Sequence, residues 1–209
     1  REIKPERIIA IERPIFHPQA QAFVEEWNWA GRVPTEPINL FSVVNANLGQ
    51  AKSSRSIVQH TDLDETAGAA GIKVNARITR THTGSHSWPD GDDANYLQVI
   101  IPPDSRMTSV RVNGKELLFE PYLLDSDPNG YPIRQEISST IRYGKKIFGF
   151  WVDTPVAETS LVELTYDFTA PKTARMYIFK QIGSVNETVR LIRNGRVSYD
   201  GPLVYDLVR

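Results

Sequence analysis

Apolar and polar residues alternate along residues 72–79, and this alternation is the clearest structural signal in the chain. One parity carries Ile72, Val74, Ala76 and Ile78, and the other carries Lys73, Asn75, Arg77 and Thr79. A period of two predicts a strand with one buried face and one solvated face. A second apolar run of strand length, residues 96–101, follows after a polar loop. Residues 72–102 therefore predict two strands joined by a loop.

Short apolar runs separated by turn residues continue along the chain. The other predicted strands are residues 7–11, 38–46, 55–62, 110–112, 117–119, 147–153, 160–168, 176–180, 188–192 and 203–208. Asn113-Gly114 and Asn194-Gly195 predict tight turns, because Asn-Gly is strongly preferred in two-residue hairpin loops. Many short strands with frequent turn signals predict a mainly β protein, an antiparallel β-sandwich that is immunoglobulin-like in style.

One helix is predicted, over residues 18–31. Its apolar residues recur at i, i+3, i+4 and i+7, and they are Ala20, Phe23, Val24 and Trp27. This spacing places them on one helical face. Pro18 suits the first helical position, and Gly31 suits the end. We expect residues 1–60 to form a strand–helix–strand segment packed on the sandwich, residues 61–170 to form its core, and residues 171–209 to add strands that complete the sheet.

Composition narrows the class of protein. The chain has 209 residues, of which 40% are hydrophobic and 23% charged, as in ordinary globular proteins. Its 24 basic and 25 acidic residues leave a net charge of -1, so nucleic acid is not an expected partner. The lack of cysteine excludes disulfides, thiolate metal sites and a cysteine nucleophile. No apolar run approaches the ~20 residues of a membrane span.

The chain begins with Arg1 rather than Met. We interpret it as a processed product or part of a longer protein, in which a segment absent from this chain makes any membrane contact.

Residues 125–136 match the spacing of a calcium-binding loop. Asp125, Asp127 and Asn129 would supply hard oxygen ligands at the first, third and fifth positions, and Glu136 would bind the ion through both carboxylate oxygens. The same Asp-Pro-Asn-Gly sequence is also typical of a simple β-turn, and the flanks predict strands instead of the usual helices. Both interpretations stay open, and Ca²⁺ is the one cofactor that the sequence indicates.

The polar loop after residue 80 contains a second group of candidate ligands. His82 and His86 are four residues apart and could bind a metal ion with Asp90, although a turn-capping or surface role is more typical of loop histidines. The acidic part of the loop comprises Asp90, Asp92, Asp93 and Asn95. This cluster is either a further calcium site or a solvated turn.

Trp88 is the best candidate for a ligand-binding aromatic side chain, because it stands in this polar loop. It could stack on a sugar ring, or it could pin the loop. Trp27 and Trp151 lie on apolar faces, so we expect both in the core. The sequence contains no nucleophile elbow, phosphate-binding glycine loop or zinc-peptidase helix, and no carboxylate pair is singled out. Enzymatic activity is therefore left open but is not the favoured hypothesis.

Five segments in order resemble a bacterial cell-envelope family. They are HPQAQAFVEEWNWAGRV (17–33), FSVVNANLGQAKSS (41–54), THTGSHSWPDGDDANYLQVIIPPDS (81–105), FGFWVDTP (148–155) with VELTYDF (162–168), and YIFKQIGS (177–184). Together they resemble the C-terminal extracellular region of domain-of-unknown-function family 4012. Gln50 and Gln98 depart from this pattern, standing where the family usually has Gly and Arg.

The resemblance implies a location outside the bacterial cell, on its surface. We expect a non-enzymatic structural or interaction module whose partners are other envelope proteins or copies of itself. The alternative is a carbohydrate-binding module for surface polysaccharide, which would use Trp88. A third hypothesis is a glycan-acting hydrolase, which requires two carboxylates converging in a cleft.

Overall fold

The computed structural model describes residues 39–49, 51–69, 71–119, 136–171 and 174–209, together with Gln19, Ala22 and Glu26. Its strands are β1 (Asn39–Asn47), β2 (Ile57–Ala67), β3 (Ile72–His82), β4 (Asp93–Ile101), β5 (Arg106–Val112), β6 (Lys115–Glu116), β7 (Ser138–Arg142), β8 (Lys145–Thr154), β9 (Thr159–Phe168), β10 (Met176–Phe179), β11 (Glu187–Arg193), β12 (Arg196–Pro202) and β13 (Leu207–Val208). A 3₁₀ turn, Ser53–Ser56, precedes β2.

The predicted helix falls on residues that are mostly outside these ranges. Gln19, Ala22 and Glu26 have helical backbone, but the continuous ranges contain no α-helix. Within the described part of the chain, no helix is long and apolar enough to cross a membrane.

The strands form two mixed sheets. One has the order β13-β10-β1-β4-β8-β7, and the other has the order β12-β11-β2-β3-β9-β5-β6. The prediction of a mainly β, sandwich-like protein is confirmed. The prediction that it is purely antiparallel is wrong, because β10 runs parallel to β1 and β11 runs parallel to β2. These pairs join strands that are far apart in sequence, and parallel neighbours require such long connections.

Strand β3 shows why the sequence selects this arrangement. Its burial alternates, and Ile72, Val74, Ala76 and Ile78 are buried as predicted. It pairs along its whole length with β2 on one side, and for most of its length with β9 on the other. The buried face packs in one main core with inward residues of the other sheet, including Leu97 and Phe150. The core therefore lies between the sheets, as a period of two requires.

Trp151 corrects one expectation about the core. It is 51% exposed, because its neighbours Phe150 and Val152 occupy the inward positions of β8. Alternation then places Trp151 on the outer face of its sheet. There its ring meets the ring of Tyr96 edge-on, with 5.5 Å between the centroids.

The Asn-Gly turns are confirmed. Asn113-Gly114 joins β5 to β6, and Asn194-Gly195 joins β11 to β12. All four residues have positive φ angles, between 49° and 79°. Such angles suit the hairpin turns whose twist matches that of the flanking strands.

Candidate functional site

The inward-facing residues of five strands change from apolar to polar at one end of the sandwich. These polar residues are Asn45 on β1, Gln59 on β2, Arg80 on β3, Asp93 and Asn95 on β4, and Glu187 on β11. In one sheet Glu187 pairs with Gln59, and Gln59 with Arg80, so these three form a row. In the facing sheet, Asn95 pairs with Asn47 on β1. The fold thereby places polar side chains opposite each other across the gap between the sheets.

Arg80 ties the two sheets together at this end. It is only 2% exposed, and its guanidinium group donates to Asp93 Oδ2 at 2.5 Å, to Gln59 Oε1 at 3.1 Å and to Asn45 Oδ1. Burial lowers the pKa of Arg80, and the adjacent Asp93 carboxylate opposes this shift. The group keeps its charge because the ordinary pKa of arginine is very high. A buried ion pair therefore joins β3 to β4 across the sandwich.

A cleft of about 530 Å³ opens beside this ion pair. Arg80, Asn45, Gln59, Asn95 and Glu187 line its inner part, which we call the floor. The volume falls within the range of small-molecule sites. The floor combines amide, guanidinium and carboxylate groups, so it can both donate and accept hydrogen bonds.

Two buried polar atoms of the floor lack a hydrogen-bond partner among the described residues. They are Arg80 Nε, a donor, and Asn95 Oδ1, an acceptor. Both side chains donate to the same oxygen, Asn45 Oδ1, so they lie close together. Buried polar groups are nearly always paired, with protein, water or ligand. Both atoms are shielded from solvent, so the polar network around Asn45 leaves them unpaired inside the protein.

Glu187 adds a carboxylate to the floor. It is 9% exposed, and this burial raises the pKa of Glu187 above its ordinary value. Lys180, the Ser184 hydroxyl and Arg80 oppose the shift without reversing it. The floor thus contains a carboxylate that is costly to ionise.

The β10–β11 loop forms one side of the mouth. Gln181 Oε1 accepts from the backbone N–H of Asn45 at 2.7 Å, and Gln181 Nε2 donates to the backbone carbonyl of Asn45 at 2.9 Å. Lys180 Nζ donates to the Ser184 carbonyl at 2.5 Å, which closes the loop on itself. The loop presents Ile182 and Val185 to solvent at the mouth, and both are more than half exposed. This side of the cleft therefore has two exposed apolar side chains, and Gln181 and Ser184 also line it.

The 3₁₀ turn and the residues before it line another side of the mouth, and the polar loop is hydrogen-bonded to them. The Lys52 amide donates to the Pro89 carbonyl at 2.6 Å, and Ser56 Oγ donates to Asp90 Oδ1 at 2.8 Å. Trp88 precedes Pro89 and is 83% exposed, so its side chain does not pin the loop. Its ring is in solvent, and Trp88 is not one of the residues that line the cleft. Its ligand-binding role stays a prediction.

His82 holds the polar loop through both ring nitrogens. Nδ1 accepts from the Gly84 amide at 3.0 Å, and Nε2 donates to the Gly91 carbonyl at 2.8 Å. Neither nitrogen is left for a metal ion, so the proposed site of His82, His86 and Asp90 is not formed. No group of three or more His, Cys, Asp or Glu in the described ranges is placed to bind a metal. His82 is instead a loop-capping residue.

The acidic cluster of the same loop is divided by the fold. Asp93 and Asn95 turn inward into the cleft region, Asp92 accepts from the Val156 amide at 3.0 Å, and Asp90 accepts from Ser56. The four side chains therefore serve different contacts. Neither the second calcium site nor a wholly solvated turn describes them, because Asp93 is buried.

Most of the predicted calcium loop lies outside the described residues. Asp125, Asp127 and Asn129 belong to that part of the chain. Glu136 is described, and its two carboxylate oxygens accept from Lys115 Nζ at 2.6 Å and from the Leu118 amide at 2.9 Å. These two hydrogen bonds lower the pKa of Glu136. Calcium binding stays a prediction.

Reasoning from the sequence missed the floor of the cleft, although one signal pointed to it. Arg80 continues the inward parity of Ile78, and Asn95 has the inward parity of Leu97. Polar residues that extend a buried stripe at a strand end can line an interior site. The sequence did not show that five such ends meet.

No protein-family model and no curated protein matches this sequence. Among solved structures, a candidate nutrient-binding protein from Legionella pneumophila is 10% identical with a TM-score of 0.46, and the match covers 76% of this chain and 55% of that protein. The same organism's aminopeptidase A, in complex with aspartic acid, is 14% identical with a TM-score of 0.35, covering 70% and 17%. An M1 zinc metallopeptidase from Deinococcus radiodurans is 14% identical with a TM-score of 0.31, covering 66% and 32%. The chain thus spans between about one sixth and just over half of these proteins, and the likenesses indicate no function.

Proposed function

We propose that this chain is a non-enzymatic binding module of a bacterial cell-envelope protein, located outside the cell, and that its cleft binds surface polysaccharide. The cellular location is supported by the five segments that resemble the envelope family. The ligand class is supported by the chemistry of the cleft. The cleft moves carbohydrate binding ahead of the purely structural role that the sequence favoured.

The polar groups of the floor are the main support for a carbohydrate ligand. Sugar hydroxyls both donate and accept hydrogen bonds, and the amide, guanidinium and carboxylate groups that line the floor include both donors and acceptors. The charged groups around the floor balance each other, because Arg80 pairs with Asp93 and Glu187 lies near Lys180. A hydroxyl-rich ligand suits such a surface.

The mouth supports the same ligand class. A sugar ring has C–H faces as well as hydroxyl edges, and these faces pack on apolar and aromatic side chains. Ile182 and Val185 line one side of the mouth, and Trp88 is exposed on the polar loop, in which Pro89 accepts a hydrogen bond from the cleft residue Lys52. A sugar could therefore place its hydroxyls toward the floor and its C–H faces toward the mouth.

Binding is favoured over glycan hydrolysis. Most glycoside hydrolases use two carboxyl groups on opposite sides of the scissile bond. Glu187 is the one carboxylate among the described residues that line the cleft. Asp93 is paired with Arg80 instead. Association with other envelope proteins or with copies of the chain stays a prediction from the sequence.

The test is binding to a panel of neutral and acidic polysaccharides by affinity electrophoresis and titration calorimetry. We expect at least one of them to bind. Val185→Ser should weaken that binding by about fivefold, since it removes roughly one buried apolar contact. Val197→Ser is the matched control, because Val197 is similarly exposed but pairs with Ile192 near the far end of β11. No binding to any polysaccharide, or equal losses in the two variants, would overturn the proposal.

A further inference from the structure

Two basic side chains stand together at the mouth of the cleft. Lys52 immediately precedes the 3₁₀ turn Ser53–Ser56, and Arg55 lies three residues later within it. Both residues are exposed and both line the cleft. The turn therefore points two positive charges toward whatever occupies the mouth.

The positive charges of Lys52 and Arg55 are not neutralised in the way that the charged groups of the floor are. Arg80 has a close ion pair with Asp93 at 2.5 Å, and Glu187 has Lys180 near it. Arg55 makes only a long contact with Asp90, at 3.8 Å. Lys52 has no side-chain hydrogen bond or ion pair within the described part of the chain. The mouth is thus a local site of unbalanced positive charge on a chain whose net charge is -1.

We propose that the ligand is an acidic sugar, whose anionic group is bound by Lys52 and Arg55 while its hydroxyls reach the floor. This inference rests on the proposed function and adds the charge of the ligand. A guanidinium group can hold a carboxylate, phosphate or sulfate through two parallel hydrogen bonds, and an ammonium group adds a mobile point charge. Because the basic side chains lie at the mouth and the amide groups at the floor, they would also determine which end of the sugar enters the cleft.

The experiment compares ligands of the same shape and different charge. The probes are oligogalacturonate, glucuronate-containing and mannuronate oligosaccharides, the methyl ester of the oligogalacturonate, and neutral galactose, glucose and mannose oligosaccharides. We expect a uronate to bind more tightly than its neutral counterpart. Raising the salt concentration should weaken uronate binding selectively, because exposed charges are screened.

The variant Lys52→Gln/Arg55→Gln should weaken uronate binding by about fivefold and leave binding of the neutral sugars unchanged, since exposed charge contacts are individually modest. The control is Lys73→Gln/Arg106→Gln, which removes the same charge from exposed residues at the other end of the sandwich. It should bind every sugar as the original protein does. A sulfated and a phosphorylated galactose oligosaccharide identify which anionic group is preferred.

The outcomes separate the two proposals. If neutral sugars bind as tightly as all their acidic counterparts, the acidic-sugar inference is wrong and the proposed function stands. If the control variant loses as much uronate binding as the mouth variant, the attraction is general to the surface and the inference also fails. If no sugar binds, both proposals fail.

Discussion

Glu187 is a carboxylate from which folding removes most of the surrounding water. Burial raises its pKa, while Lys180, Ser184 and Arg80 oppose that shift. A raised pKa in the folded state means that the native protein binds this proton more tightly than the unfolded chain does. The resulting stabilisation is complete below the unfolded pKa and is lost as the pH rises through the folded pKa. Ionised Glu187 therefore lowers the stability of the fold at neutral pH.

We expect Glu187→Gln to raise Tm by a few degrees at neutral pH, because glutamine keeps the size of the side chain and removes the charge. The gain should shrink as the pH falls toward the ordinary glutamate value of 4.5, where the original side chain becomes neutral. Thermal unfolding followed by circular dichroism across this pH range measures it. Glu158→Gln, at an exposed turn residue, should show no such pH-dependent gain. A Glu187→Gln protein with unchanged or lower Tm at neutral pH would contradict the argument.

Individual positions show what the sequence could reveal about the cleft and what it could not. The alternation predicts that Ile78 points inward, and Arg80 shares its parity. Its partner Asp93 follows 13 positions later, in a stretch that looks like a solvated turn. No local sequence pattern predicts the Arg80–Asp93 ion pair, because the contact forms only when the two sheets pack together. Trp88, by contrast, stands in a polar loop and is exposed, so of the two roles considered for it, pinning the loop is excluded.

The β11–β12 hairpin is held in place by its turn as well as by its strands. Asn194 has a φ of 49°, its amide donates to the Glu65 carbonyl at 2.8 Å, and its Oδ1 accepts from the Ala67 amide at 2.8 Å. The turn thus docks on the end of β2. The β7–β8 turn uses the same kind of backbone with Tyr143 in place of Asn, also at a φ of 49°.

Substitutions in these two turns should change the free energy of unfolding in opposite directions. Asn194→Ala should destabilise the protein by about 1–2 kcal/mol, because alanine tolerates positive φ poorly and lacks the side-chain acceptor. Tyr143→Asn should stabilise it by about 0.5–1 kcal/mol, because Asn-Gly suits this turn and the Tyr143 ring is largely exposed. Urea unfolding of both variants measures the changes. Shifts of the same sign would show that turn backbone preference does not control these hairpins.

Pairing between strands follows the same division between local and distant signals. The Asn-Gly hairpins could be predicted because their turn residues are contiguous in sequence. The β7–β8 hairpin was missed, since Tyr143 gives no turn signal. The parallel pairs β1–β10 and β2–β11 join residues more than 120 positions apart, such as Gln59 and Glu187. Nothing in a short window specifies such a partner, so these four strands were predicted but their parallel pairing was not.

The C-terminal segment links the fold to the cleft. Strands β10 and β13 extend one sheet, and β11 and β12 extend the other. The connection between β10 and β11 forms one side of the mouth, and β11 begins with Glu187. A site built in this way cannot be read from any single motif. It depends on the chain contributing strands to both sheets again after β9.

We therefore expect a chain that ends at Ala170 to lose its cooperative fold. The deletion removes Met176, Ile178, Val189 and Leu191 from the main core. Burying each such side chain contributes about 1.5–3 kcal/mol, and total stabilities are only about 5–15 kcal/mol. Near-UV circular dichroism and urea unfolding should show weak tertiary signal and no sharp transition.

A chain lacking only Leu207–Arg209 is the control: it loses the short pairing with β10 but keeps both parallel strands, so it should fold with a lower midpoint. If the chain ending at Ala170 unfolds cooperatively near the original midpoint, the parallel strands are additions to a core that is stable without them.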